Sequence, residues 1–205
     1  DDVNGGLSFR DLLDPNPNTD ATQGNGYGKT IELYSGNSLI TDPYDNAAGM
    51  RAGAIYLYRG SDGALLTTLT GAAAEDSIGT GHRLSLGSNL LLVHTLYGSG
   101  NGTLDNAKGA VTWLNPVTGK LADGTSAGAV GATNSLLGSF AGDRVNLTQD
   151  RTLVTPVAGS ANGYFLISES WNDTRGAITW INASTGKLAD GSTGGAISPA
   201  NSLIG

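Results

Sequence analysis

One segment of the sequence occurs twice, and this repetition constrains the fold more than any other feature. Residues 109–124 read GAVTWLNPVTGKLADG, and residues 176–191 read GAITWINASTGKLADG. The copies align without a gap from 109–138 onto 176–205, and 18 of these 30 positions are identical. Repetition of this kind is typical of arrays in which each unit buries its apolar face only against its neighbours.

A third and more divergent copy, GAIYLYRGSDGALL, precedes the other two at residues 53–66. Paired apolar runs separated by a tight polar turn stand before two of the copies, as TIELYSGNSLIT at 30–41 and HRLSLGSNLLLV at 82–93. Such a pattern indicates a β-hairpin. Each unit is therefore predicted to contain four short strands. The third unit carries additional residues, and its strand count stays open.

The composition favours strands and turns over helices. Glycine occurs 32 times, whereas glutamate occurs three times and lysine four times among the 205 residues. Because good helix formers are scarce and no helical apolar period persists, fewer than about 10% of the residues are predicted to be helical.

The inner strands are continuously apolar, as in Leu90–Val93 and Phe165–Ile167. Strands of this type are usually covered on both faces. Four-stranded sheets stacked face on face are characteristic of β-propellers. The sequence thus predicts an all-β, propeller-type array of about three units, belonging to a larger ring, array or filament. The predicted divisions are a leftover fourth strand with its exit loop at 1–27 and repeats at 28–79, 80–142 and 143–205.

The segment GAIYLYRGSDGALLTTLTG, following an apolar strand and a DNxxG-type loop, resembles the FG-GAP repeat of integrin-α-type propellers. The segments GYFLISESWNDTRGAITWINASTG and ANSLIG resemble a repeat of giant secreted bacterial proteins that often carry a filamentous-haemagglutinin-like secretion domain. The resemblance implies propeller blades and an extracellular location. Many FG-GAP blades hold calcium in a D-x-D-x-D-G loop between their first two strands. The corresponding turns here, SGN and GSN, are too short for that site, which is not carried over.

An Asp/Asn pair stands before each G-A strand and supplies the calcium candidates Asp45, Asp105 and Asp173. Calcium requires several oxygen ligands, and each loop offers one carboxylate and one amide. Asx-turns, in which the side chain binds nearby backbone N–H groups, are the alternative and the favoured interpretation. No cofactor is therefore expected, with calcium kept as the alternative.

Trp171 lies just before a loop and is the candidate for ligand binding, because an exposed indole can stack on a sugar ring. Trp113 and Trp180 occupy one repeat position within a strand and are expected in the core. The two histidines, His82 and His94, lie in neighbouring strands, but a zinc site needs a further ligand. They are therefore interpreted as ordinary strand residues, and no catalytic metal is expected.

The sequence contains no recognisable catalytic motif, and we expect no enzymatic activity. The net charge of −7 disfavours nucleic acid as a partner. Cysteine is absent, which excludes thiol chemistry and disulfides. No apolar run is long enough to span a membrane as a helix. Lys120, Lys187, Asp123 and Asp190 of the repeated GKLADG are interpreted as turn or inter-unit contacts.

The favoured function is a structural or adhesive role in a secreted or surface-displayed bacterial protein, in cell–cell contact, a biofilm matrix or an extracellular fibre. The first alternative is a carbohydrate-binding propeller module, with glycans as partners. The second is a hydrolase or lyase whose active site escapes motif analysis. An open array leaves sheet uncovered at its ends. The expected partners are therefore other copies of the chain, associating head to tail, or flanking repeats of the same polypeptide.

Overall fold

A computed structural model describes residues 12–18, 24–145 and 153–205. Of these residues, 37% form strands and 4% are helical, which confirms the predicted all-β class and the low helix content. The predicted leftover strand near Leu7–Leu13 lies mostly outside the described residues, and its described end, Leu12 and Leu13, is irregular. Among the described residues, no helix has the length and apolar character needed to cross a membrane.

Three sheets follow one another along the chain, one for each predicted repeat. The first sheet begins with the hairpin of β1 (Thr30–Tyr34) and β2 (Asn37–Asp42), and the second begins with that of β5 (Arg83–Leu86) and β6 (Asn89–His94). The remaining strands of these two sheets are β3 (Ala54–Tyr58), β4 (Leu65–Thr70), β7 (Ala110–Leu114), β8 (Ala127–Ala129) and β9 (Ser135–Leu137). The third sheet contains β10 (Leu153–Pro156), β11 (Gly163–Ser168), β12 (Ala177–Asn182) and β14 (Ser202–Ile204), and β13 (Gly195–Ala196) precedes its last strand.

Four antiparallel strands from one repeat form the body of each sheet, which is the number predicted for the first two repeats. Two of the sheets gain a fifth strand from the next repeat. The strand β8 lies in the second repeat but pairs in parallel with β4 of the first sheet. The strand β13 of the third repeat pairs in the same way with β9 of the second sheet. The sheet orders are therefore β1-β2-β3-β4-β8, β5-β6-β7-β9-β13 and β10-β11-β12-β14. This exchange of a short strand links each sheet to the one that follows.

Each sheet has a front face, toward the preceding repeat, and a back face, toward the following repeat. The back face of the first sheet packs on the front face of the second in one apolar cluster formed by Leu39, Ile55, Leu57, Leu69, Leu90, Leu92, Ala110 and Leu114, among others. The back face of the second sheet packs on the front face of the third in another cluster, which includes Leu91, Val93, Val111, Trp113, Leu136, Leu166, Ala177 and Ile181. The sheets are thus stacked face on face.

The turns of GKLADG lie at these contacts between sheets. Gly119 has a φ of 72°, and a Cβ at this position would lie 2.6 Å from Oγ1 of Thr67 in the preceding sheet. The Thr67 hydroxyl in turn donates to the carbonyl of Gly119. Both the positive φ and the close approach require glycine. Asp123 and Asp190 accept the N–H groups of Thr125 and Ser192 and so close the same turn in the two repeats.

Candidate functional site

The structure places the predicted calcium candidates in three different environments. Asp45 is fully buried in the loop between β2 and β3. The side chain of Asp105 is 90% exposed and forms an ion pair with Arg144 at 2.5 Å. Asp173 is exposed in a turn with a φ of 56°. The three loops therefore do not form one repeated site, and only Asp45 lies among other carboxylates.

Asp45 converges with Asp14 and Asp42, residues that the sequence analysis did not single out. One carboxylate oxygen from each of the three residues lies within 4.8 Å of those of the other two. Asp42 ends β2 and is fully buried, whereas Asp14 belongs to the N-terminal segment and is half-buried. We call these three residues the aspartate cluster. In the part of the chain that the structure describes, it is the only grouping of three acidic, histidine or cysteine side chains close enough to share a metal ion.

Hydrogen bonds fix most of the oxygens of the aspartate cluster. The Asp45 carboxylate accepts hydrogen bonds from the Tyr56 hydroxyl at 2.5 Å, the Ala47 N–H at 2.7 Å and the Asn16 amide at 3.1 Å. Oδ1 of Asp42 accepts the N–H of Tyr44 at 3.1 Å. Asp45 therefore has a complete set of donors.

Oδ1 of Asp14 accepts the N–H of Asn16 at 3.0 Å, and two carboxylate oxygens of the aspartate cluster are left without a donor. Oδ2 of Asp42 and Oδ2 of Asp14 are buried without a hydrogen-bond partner among the described residues. A buried carboxylate oxygen without a partner costs free energy. Burial raises the pKa of Asp42 to about 6, assisted by the charges of Asp14 and Asp45 and opposed by the Tyr44 hydrogen bond. Burial and the bond to Asp45 likewise raise the pKa of the Tyr56 hydroxyl.

The N-terminal segment, residues 12–18, covers the front face of the first sheet at this point. Leu12 packs against a cluster that includes Ile40 and Tyr56. The Tyr58 hydroxyl donates to the Leu13 carbonyl at 3.0 Å. In the second and third sheets, the front face is covered by the preceding sheet instead. The aspartate cluster therefore lies between this segment and the front face of the first sheet.

The position of Asp42 holds a different side chain in each sheet. Asp42 at the end of β2 pairs with Ala54. In the other two sheets, the corresponding alanines pair with His94 at the end of β6 and with Ser168 at the end of β11. His94 is buried, and its Nε2 lies 2.9 Å from the hydroxyl of Thr112. Among the described residues, neither histidine lies close to two further side chains that could share a metal ion with it. The carboxylate is thus a feature of the first sheet alone.

Trp171 is buried to 6% exposure within the cluster between the second and third sheets, which leaves little of its ring for a ligand. Trp113 is equally buried, and its indole N–H donates to the Ala183 carbonyl of the third sheet at 2.7 Å. Trp180, its repeat counterpart, is only half-buried on the back face of the third sheet. It pairs across the strands with Phe165, which is exposed.

Two further aspartates act at the contacts between sheets and were not predicted in that role. Asp76 accepts the N–H groups of Ala72 and Ala73, and it also accepts that of Gly98 in the second repeat. Asp143 accepts those of Ser139 and Phe140, which follow the last strand of the second repeat, and that of Asn172 in the third repeat. Each aspartate follows a glycine by five positions, as GAAAED and GSFAGD. That spacing is the signal in the sequence that identifies them.

Comparison with known protein families matches two segments, residues 99–147 and 160–205, to a repeat of unknown function (DUF5650). The segments include both aligned copies, 109–138 and 176–205. The first segment contains β7 and β9 of the second sheet and β8 of the first sheet, and the second segment contains β11, β12 and β14 of the third sheet and β13 of the second. A search of curated proteins finds no match.

Proposed function

We propose that the chain is a non-enzymatic structural repeat region of a secreted or surface bacterial protein, with sheets that stack as propeller-type blades. Its FG-GAP-like repeats then serve as an adhesive or spacing element in cell–cell contact, a biofilm matrix or an extracellular fibre. The expected neighbours of the described sheets are further sheets of the same repeat, from flanking sequence or from another copy associating head to tail.

The observation that carries this proposal is the back face of the third sheet. Ile178 and Leu203 on this face are 37% and 73% exposed. Their repeat counterparts on the second sheet, Val111 and Leu136, are 2% and 3% exposed because the third sheet covers them. The same apolar positions are therefore retained on a face that the described residues leave open, which indicates a surface made to be covered.

The edge of the third sheet supports the same occupant. The strand β9 of the second sheet pairs on one side with β7 and on the other with β13 from the next repeat. Its counterpart β14 pairs with β12, and no described strand lies on its other side. An open sheet edge readily accepts a further strand. A following repeat would supply both the covering sheet and this strand.

The test extends the chain with a second copy of residues 139–205 placed after Gly205, in the register of the gap-free alignment. We expect the midpoint and slope of urea unfolding to rise, because the extension buries the open face. Leu203→Lys is the diagnostic substitution. In the 205-residue chain it should change stability by less than about 0.5 kcal/mol, because Leu203 is exposed. In the extended chain it should cost about 2–4 kcal/mol, because it buries a lysine.

Leu136→Lys is the matched control for Leu203→Lys. Leu136 is already covered, so this substitution should destabilise both chains to a similar degree. If Leu203→Lys were harmless in the extended chain as well, the stacking proposal would be wrong. The adhesive role is tested separately, by displaying the extended chain on non-aggregating bacteria and measuring sedimentation. Cells displaying it should sediment faster than cells displaying its Leu203→Lys variant.

A second candidate is carbohydrate binding at the same face. Phe165 and Trp180 are direct partners on neighbouring strands, and side chains of such pairs lie side by side on one face of a sheet. Two adjacent aromatic rings suit stacking on sugars. A glycan array probed with the 205-residue chain distinguishes the candidates. Binding that is lost in Trp180→Ala and retained in Trp113→Phe would favour the glycan, and its absence would favour a covering sheet.

A further inference from the structure

We propose that Asp14, Asp42 and Asp45 bind a calcium ion, which fastens the N-terminal segment to the front face of the first sheet. The site lies within one sheet and the segment that covers it, so it is independent of how further sheets stack. Its residues come from three places: the N-terminal segment, the end of β2 and the loop after β2. It is thus different from a D-x-D-x-D-G loop between the first two strands.

The three carboxylates lie close enough together to share one ion, and their donor chemistry favours calcium. Oxygens on opposite sides of one calcium ion are about 4.8 Å apart, since each lies at about 2.4 Å. One oxygen from each residue of the aspartate cluster meets this limit. Magnesium keeps several of its water ligands and is usually held by only one or two protein carboxylates, so a set of three carboxylates favours calcium. An all-oxygen set without histidine or cysteine also disfavours zinc.

The unpaired oxygens point independently to a cation. Asp42 is fully buried, and its Oδ2 has no donor in the described part of the chain. Oδ2 of Asp14 is likewise buried without a donor among the described residues. Backbone and tyrosine donors satisfy Asp45 completely, so the deficit lies on the two residues that join the segment to the sheet. A cation between them would supply the missing interaction for both.

Charge leads to the same conclusion. None of the four ion pairs among the described residues involves the aspartate cluster. Three carboxylates in a buried space repel one another and lose hydration. The polar side chains facing them, Tyr56 and Asn16, donate hydrogen bonds but carry no positive charge. A bound cation would compensate the charge of all three carboxylates together.

Thermal unfolding of the 205-residue chain tests the site. At pH 7.5 and constant ionic strength, about 5 mM calcium chloride should raise Tm by about 5–10 °C relative to EDTA. Magnesium chloride at the same concentration should raise it less. Terbium should replace calcium and show luminescence sensitised by Tyr56, whose hydroxyl binds Asp45. An equal response to magnesium would overturn calcium as the ligand.

Asp42→Asn and Asp14→Asn locate the site, and Asp123→Asn, in an exposed turn, is the matched control. Asp42→Asn should raise Tm in EDTA, because an amide replaces an unpaired buried charge, and should abolish the response to calcium. Asp14→Asn lies in the covering segment and should also abolish that response. Asp123→Asn should retain the full response. The proposal is overturned if calcium leaves the wild-type Tm unchanged and terbium emission is absent, or if both cluster variants respond like the wild type.

Discussion

Trp113 in the second sheet packs against Gly186 in the turn of the third repeat so closely that a Cβ on Gly186 would lie 2.7 Å from the indole Cγ. Gly186 also has a φ of 72°. The glycine of the repeated TGK is therefore fixed by two demands: a left-handed backbone, and contact with the preceding sheet. The same relationship joins Gly119 to the first sheet.

Gly186→Ala should destabilise the chain by about 2–4 kcal/mol, combining left-handed strain with overpacking against Trp113. Gly191→Ala is the matched control, since Gly191 has a φ of 84° but a Cβ added to it would meet no atom within 4 Å. That substitution should cost about 1 kcal/mol, the strain alone. Urea unfolding of both variants measures the difference, and equal losses would refute close packing at the indole.

Asn89 begins β6 and binds the next sheet through its side chain. Its buried amide donates to the Ala183 carbonyl at 2.9 Å, as that of Asn37 donates to Pro116 at 2.7 Å. Asn89→Ala should cost about 1 kcal/mol, because the Ala183 carbonyl loses one of its two donors and keeps the indole N–H of Trp113.

Asn89→Asp should cost more than Asn89→Ala, because it places a charged acceptor against that carbonyl. Asn101→Ala is the control, since Asn101 is exposed and binds only within its own turn. In equilibrium unfolding, Asn89→Asp should lose the most free energy of unfolding, Asn89→Ala less and Asn101→Ala the least. Equal losses for Asn89→Ala and Asn101→Ala would show that the contact between sheets contributes nothing.

The sequence predicted the sheets because their signals are local. Continuous apolar strands, hairpin turns and the repeated GKLADG each fall within one unit, so their spacing is visible in the chain. The fifth strands were not predicted. Residues 127–129 and 195–196 consist of alanine and glycine, which carry no apolar alternation and have low strand propensity. Only their placement beside the preceding sheet makes them strands.

The aspartate cluster was only partly predictable. The sequence identifies Asp45 as a calcium candidate, but the loop that contains it offers only one carboxylate and one amide. Asp14 and Asp42 converge on it from separate parts of the chain, and this convergence depends on the path of the N-terminal segment over the sheet. Asp105 and Asp173 precede G-A strands in the same way, yet Asp105 lies in the short 3₁₀-helix Leu104–Asn106 and Asp173 in the segment Trp171–Thr174, and both side chains are exposed.

Thr174 offers a stabilising substitution. Asn172, Asp173 and Thr174 form consecutive left-handed residues, and the φ of Thr174 is 68°. This conformation is unfavourable for a β-branched residue, whereas glycine adopts it freely. Thr174→Gly should therefore stabilise the chain by about 1 kcal/mol. Thr185→Gly, in an exposed turn without a positive φ, is the control and should be neutral or destabilising. A loss of stability in Thr174→Gly would contradict the expectation.

The last prediction concerns acid stability and rests on His94. Burial lowers the pKa of His94 from 6.5 to about 3, so the folded chain keeps the imidazole neutral. In the unfolded chain, the imidazole binds a proton below pH 6.5. The free energy of unfolding therefore falls by about 1.4 kcal/mol per pH unit as the pH falls toward 3. The stabilising contribution of neutral His94 is thus complete above pH 6.5 and is lost progressively below it.

His94→Asn removes this proton-binding difference and tests the prediction. At pH 7.5 the variant should be less stable than the wild type, because it leaves a cavity beside Thr112. The difference in free energy of unfolding between the wild type and His94→Asn should shrink by about 2 kcal/mol between pH 6.5 and pH 5, because only the wild type loses stability through this histidine. Leu92→Ala is the control, because it leaves a cavity in the same strand but removes no titratable group. Urea unfolding at pH 7.5, 6 and 5 measures both differences. The difference between the wild type and Leu92→Ala should stay constant over this pH range. If the difference between the wild type and His94→Asn also stayed constant, His94 would not be held neutral by burial.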